Sequence, residues 1–191
     1  MTDRQNEIIT AAITLISEKG IQGLTIKNLA KAIKVSEPAL YRHFDNKTAI
    51  LLAILDSFKT LMPDVLDIIN MESKSSIEKI HTIYNGYFKK FSETPELVAV
   101  IFSDEIFKNE KELSDKIAHL IQKNEDMFCQ IIKAGQKSGE IRTDINSKHI
   151  AIVIMGSLRL IVKKWELSAY SFDLKKEGDK LFKSVILMIS K

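Results

Sequence analysis

The chain has 191 residues, 45% of them hydrophobic, and a formal net charge of +3. This composition excludes a disordered or low-complexity protein and leaves room for one sizeable core or two small ones. The charge does not announce nucleic acid either: residues 1–50 carry seven Lys/Arg against five Asp/Glu, so any case for DNA rests on where the cations sit.

Cys129 is the single cysteine. No disulfide framework is possible, and a reduced, cytoplasmic setting with a buried structural thiol is the simpler expectation. The N-terminal run Thr2–Glu7 lacks the apolar core of a signal peptide. The most apolar stretch, Ile150–Val162, is shorter than a membrane span and contains Arg159, so it reads as a buried helix.

From Arg4 to about Glu18, Ile8, Ile9, Ala12, Ile13, Leu15 and Ile16 fall at helical spacing, and Lys19-Gly20 reads as the stop. Thr25 is placed to cap a second helix whose inner face is Ile26, Leu29, Ala30 and Ile33. Lys34-Val35-Ser36 is a turn. Ser36 then caps a very short helix in which Pro38 is tolerated, because first-turn N–H groups have no helical partner. Leu40 and Phe44 stand four apart and can be buried together, which leaves Glu37, Pro38, Ala39, Tyr41, Arg42 and His43 facing outward. Helix, turn, helix behind a supporting helix is the arrangement that places a second helix in the major groove.

Asp45-Asn46 caps a helix from Lys47 to about Met62, which Pro63 kinks or ends. Residues 70–76 read as a linker. Helices follow over Ile77–Phe91, Leu97 to about Phe107, about Leu113–Lys137, about 147–167, capped by Asp144-Ile145-Asn146-Ser147, and about 173–190, opened by Phe172-Asp173. The expected class is all-α, with about nine helices: a helix-turn-helix domain over 1–48 and a larger helical effector-binding and dimerisation domain over 49–191.

The run Leu24-Thr25-Ile26 … Leu29-Ala30 … Val35-Ser36 … Leu40-Tyr41-Arg42-His43-Phe44 … Lys47 … Leu51-Leu52 resembles the TetR family of bacterial transcriptional regulators, over about residues 4–62. The resemblance places Thr25, Tyr41, His43 and Lys47 against phosphates, with Ser36 at the start of the recognition helix, and Lys27, one turn away, is a reasonable addition. Each is chemically suited: a hydroxyl at a helix start, a phenol, an imidazole and ammonium groups. Glu37, Pro38, Ala39 and Arg42 fall where base edges are read. Arg42 suits guanine O6/N7, Glu37 suits cytosine N4, and Pro38 or Ala39 suits a thymine methyl. Two positions depart from the family, which often has Gly where Lys34 and Pro38 stand here.

The aromatic set Tyr84, Tyr87, Phe88, Phe91, Phe102, Phe107, Phe128 and Trp165 reads either as core or as the wall of an apolar ligand pocket with a few polar handles. The resemblance assigns dimerisation to the last two long helices, where Gly156 permits close approach and Leu158, Ile161, Val162, Leu181, Val185 and Met188 supply apolar contact. His81, His119 and His149 lack metal-ligand spacing, and no nucleophile–base constellation or phosphate loop is present. No enzyme, metal or cofactor is expected. The expected function is a sequence-specific regulator, a homodimeric repressor on a pseudo-palindromic duplex, released by a small apolar effector. An architectural, nucleoid-associated DNA binder without effector is the alternative, and a helical small-molecule binder a further one.

Overall fold

The computed structural model describes residues 1–60, 68–71, 73–103 and 110–191. Among the described residues there are nine helices: α1 (Asp3–Gly23), α2 (Ile26–Ala32), α3 (Glu37–Tyr41), α4 (Lys47–Thr60), α5 (Ser76–Glu93), α6 (Glu96–Ile101), α7 (Lys111–Ser138), α8 (Ser147–Leu167) and α9 (Leu174–Ile189). The all-α expectation holds. The expected kink at Pro63 and the stretch leading to Phe107 lie outside the described residues. Helix α6 itself stops at Ile101, with Phe102 as its cap.

By contacts the chain divides into two compact units, residues 1–60 with 94–117 and residues 61–93 with 118–191. In the first, α1 is started by a reciprocal cap: Thr2 Oγ1 accepts from the Gln5 N–H, and Gln5 Oε1 accepts from the Thr2 N–H. Gly20, expected as the stop, does break the helix at φ 67°, a conformation open to glycine, but helical bonding resumes to Gly23. Helix α1 packs against α2, α4 and α6. The shared core includes Ile8, Ala12, Ile16, Leu29, Ile50, Ile54 and Val98, each no more than 3% exposed.

In the second unit α5 packs against α9 and α8, and α8 against α9. Asn146 and Asp173 cap α8 and α9 through bonds from the Lys148 and Lys176 N–H groups, as their place in the sequence implied. Ile80, Tyr84, Phe88, Ile132, Ile154, Val162 and Val185 form its core. The chain returns at its end to an isolated antiparallel bridge between Ile141 and Ser190, with the Arg142 N–H donating to the Ile189 carbonyl at 2.9 Å.

Candidate functional site

The short helix α3 begins at a local side-chain cap. Ser36 sits at φ −78°, ψ 152°, and its Oγ accepts from the Ala39 N–H at 3.3 Å. Leu40 and Phe44 are buried, at 1% and 8% exposure, which anchors one side of the helix against its unit. Their burial is worth about 1.5–3 kcal/mol each. The opposite side presents Glu37, Pro38, Tyr41 and Arg42 to solvent, with Ala39 and His43 half-buried. Four of the six residues expected to face outward are thus exposed, and Tyr41 is 47% exposed although it is a large aromatic residue. The His43 carbonyl receives a long bond, 3.5 Å, from Gln5 Nε2, which ties the end of α3 to the first turn of α1.

The neighbouring candidates lie in the same unit. Thr25 caps α2, its Oγ1 accepting from the Asn28 N–H at 3.1 Å, so the hydroxyl proton remains available to an outside acceptor. Lys27 is exposed. Asn46 Oδ1 caps α4 by accepting from the Ala49 N–H at 2.8 Å. Lys47 differs from a free surface cation: its Nζ donates to the Ile21 carbonyl at 3.1 Å, and partial burial lowers its pKa. Two ammonium donors remain after that bond. Sequence reasoning missed this tie, because its acceptor is a backbone atom 26 residues away. Lys34, in the α2–α3 turn, holds φ 56°.

Of the aromatic candidates, Phe107 lies outside the described residues, and Phe102 belongs to the first unit. In the second unit Tyr84, Phe88, Phe91, Phe128 and Trp165 are all buried. Tyr84 meets Phe88 edge-on at 5.6 Å and Phe182 at 5.3 Å. Its hydroxyl donates to the Ile154 carbonyl at 2.6 Å and lies 2.7 Å from Ser157 Oγ; burial pushes its pKa up to about 12. Tyr87 stacks on Phe91 at 6.3 Å, its pKa also raised by burial and opposed by a hydrogen bond with Asn124. Trp165 Nε1–H donates to the Phe172 carbonyl at 2.8 Å and faces Tyr170. A groove of about 470 Å³ lies elsewhere in this unit, lined by Ile69, Asn70, Ser76, Lys79, Gln130, Ile131 and Ala134, none of them in that set. Among the described residues no cluster of His, Cys, Asp or Glu is placed to hold a metal ion. Cys129 is buried, and that burial raises its thiol pKa.

The dimer candidates divide. Gly156 is exposed with open space where a Cβ would stand, Met188 is 54% exposed, and Ile161 and Leu181 are half-buried. Leu158, Val162 and Val185 are buried within their own chain, at 7%, 0% and 1% exposure. The other exposed apolar side chains on α8 and α9 are Ile152, Val153, Leu160, Leu167 and Leu187, at 47–83% exposure. The missed signal was apolar residues on both sides of α8, for Ile152, Gly156 and Leu160 repeat every four residues opposite the buried row.

A helical head with a capped, outward-facing α3 behind a tight turn, followed by a second helical unit, is the layout of a helix-turn-helix regulator. Residues 8–54 match the family described as bacterial regulatory proteins, tetR family, and residues 58–188 match the C-terminal region of YsiA-like proteins. The nucleoid occlusion factor SlmA of Mannheimia succiniciproducens is 29% identical over 133 residues, which cover 69% of this chain and 61% of that protein. The chain thus aligns with about three-fifths of that relative's length. The fatty acid metabolism regulator protein of Bacillus subtilis is 25% identical over 171 residues, covering 88% of this chain and 86% of that one. The crystal structure of FadR from Bacillus subtilis in complex with stearoyl-CoA has the same fold, with a TM-score of 0.82 at 21% identity over 95% of this chain and 97% of that one. The chain belongs to the TetR family of bacterial regulatory proteins.

Proposed function

We propose that the chain is a sequence-specific DNA-binding transcriptional regulator of the cytoplasm, a homodimeric repressor released by a small, largely apolar ligand. The observation that carries this is α3 with the turn that follows it: Leu40 and Phe44 are the buried anchors, and Glu37, Pro38, Tyr41 and Arg42 are exposed. So short a helix supplies little affinity alone. Two copies on a two-fold axis would read half-sites about one helical turn apart. Arg42, Glu37, Pro38 and Ala39 face base edges in this reading, while Thr25, Lys27, Ser36, Tyr41, His43 and Lys47 lie toward the backbone. The two partners meet through the exposed apolar sides of α8 and α9, around Gly156, Leu160, Leu187 and Met188.

Kinship with a fatty acid metabolism regulator, and a shared fold with a protein crystallised with stearoyl-CoA, support an effector carrying an acyl chain. Its seat is the second unit, where α5 supplies the aromatic face. The ligand changes the separation of the two recognition helices, for which a coupling of about 1–3 kcal/mol suffices. Selection of bound duplexes from a random pool, followed by displacement with acyl-CoAs and with unrelated apolar compounds, tests both halves. Recovery of one palindromic motif, released by a ligand, is the expected result. The similarity to a nucleoid occlusion factor favours one rival, an architectural DNA binder. Capture of many unrelated sites, with no compound causing release, would decide for it.

A further inference from the structure

We infer that Lys34, the residue at the bend of the helix-turn-helix, is a DNA-phosphate contact. This rests on the DNA-binding reading and extends it to a residue outside the set above.

The backbone at Lys34 is left-handed, at φ 56°, a region in which a Cβ is crowded and glycine or asparagine is the favoured occupant. The bend itself is set by backbone bonds, Val35 N–H to the Ala30 carbonyl at 3.0 Å and Lys34 N–H to the Lys31 carbonyl at 3.3 Å, and needs nothing from the side chain. A strained residue whose side chain does nothing for its own fold points to a use outside it. The charge pattern agrees. Lys27, Lys31 and Lys34 recur at intervals of four and three, all exposed, and none of them has a side-chain hydrogen bond or ion pair with another described residue. Lys27 and Lys31, four apart on α2, repel one another. They form a basic ridge on α2, and Lys34 follows just past its C-cap Ile33, two residues before Ser36, the cap of the recognition helix. With α3 in the major groove, the ridge flanks the groove wall, where phosphates stand.

There is a competing structural role. A lysine just past a helix C-terminus is favoured by the helix dipole. The two roles differ in their effect on DNA binding. If the dipole alone keeps Lys34, its removal leaves DNA binding unchanged. If a phosphate keeps it, its removal weakens DNA binding, although Lys34→Gly relieves the backbone in either case.

The experiment uses the full chain with two duplexes of equal length: one recovered from a random pool by the unsubstituted protein, and one scrambled. Lys34→Gly, Lys34→Asn and Lys34→Arg are compared by binding across a salt series and by thermal unfolding. The Gly and Asn variants are expected to bind both duplexes more weakly by a similar factor, with the slope of log K against log salt reduced by about one. Both variants are expected to unfold at a higher temperature, and Lys34→Arg to keep the full slope. Gly and Asn variants with the parent's slope and affinity would overturn the inference while leaving the DNA-binding reading intact. An unsubstituted chain that retained neither duplex would remove that reading, and this one with it.

Discussion

Gly178 lies in the second turn of α9 and is buried against α5. A Cβ built on it would overlap the ring of Phe88, standing 2.7 Å from Cζ and closer still to two other ring carbons. Ordinary van der Waals contact begins near 3.4 Å, so the ring would have to retreat by the better part of an ångström. It has nowhere easy to go. Phe88 is 0% exposed, and the ring of Tyr84 lies edge-on beside it at 5.6 Å, itself held by bonds to Ile154 and Ser157.

Two opposing effects set the sign for Gly178→Ala. Alanine in a helix interior is favoured over glycine by about 1 kcal/mol. Overpacking a filled core costs about 1–3 kcal/mol. With three ring atoms in overlap and the neighbours fixed, the upper part of that range applies, and the net expectation is a loss of about 1–2 kcal/mol. The assay is urea unfolding at one fixed protein concentration, because dimerisation would otherwise shift the midpoint. The midpoint should fall with an unchanged slope. Combining Gly178→Ala with Phe88→Leu should cost less than the two single changes added, since the smaller side chain makes room for the methyl group. If Gly178→Ala raised the midpoint, as an unhindered helical glycine does, the close approach of α9 to Phe88 would be refuted.

The other predictions bear on the interface and the dimer. Arg42→Ala should relax base preference at one position by about 1–3 kcal/mol in a competition binding assay; equal weakening on specific and scrambled duplexes would remove its base-reading role. Lys47→Ala should weaken binding to every duplex and lower the salt slope by about one. The same change should cost about 1 kcal/mol in urea unfolding, because the Ile21 carbonyl loses its donor. A stability loss with an unchanged slope would make Lys47 a tie within the head and nothing more. Leu160→Asp should yield monomers in sedimentation while the helical circular dichroism is retained; a dimer that survived it would place the interface elsewhere.

The head was legible because its signals are local. Ser36, Pro38, Leu40 and Phe44 fall within nine residues, and cap, proline and buried pair each act on the nearest turn, so their spacing alone placed α3. Asn46, Asn146 and Asp173 were readable as caps for the same reason. What the sequence did not disclose depends on partners far along the chain. The tie from Lys47 to Ile21 spans 26 residues, and the bond from Tyr84 to Ile154 spans 70. Periodicity also failed where a helix is apolar on both sides. On α8 it marks Leu158 and Val162 as well as Ile152 and Leu160, and only packing against α5 and α9 decides which pair faces inward.

The two sides of α8 bear on how an effector signal travels in the proposed dimer. A helix with apolar residues on two opposite sides is ordinarily covered on both. Within its own unit α8 is covered along Ile154, Leu158 and Val162, while Ile152, Gly156 and Leu160 are left open to a second copy. The turn carrying Gly156 is also the turn that Tyr84 of α5 grips from the inner side, through the Ile154 carbonyl and Ser157 Oγ. A buried hydroxyl that loses such partners without replacement costs about 1–3 kcal/mol, the same range as the coupling an effector needs. A ligand that displaced the aromatic face of α5 would therefore strain those bonds and move the turn of α8 on which the partner chain rests. Tyr84 belongs to this reading as the link between ligand and dimer, whether or not its ring ever touches the ligand.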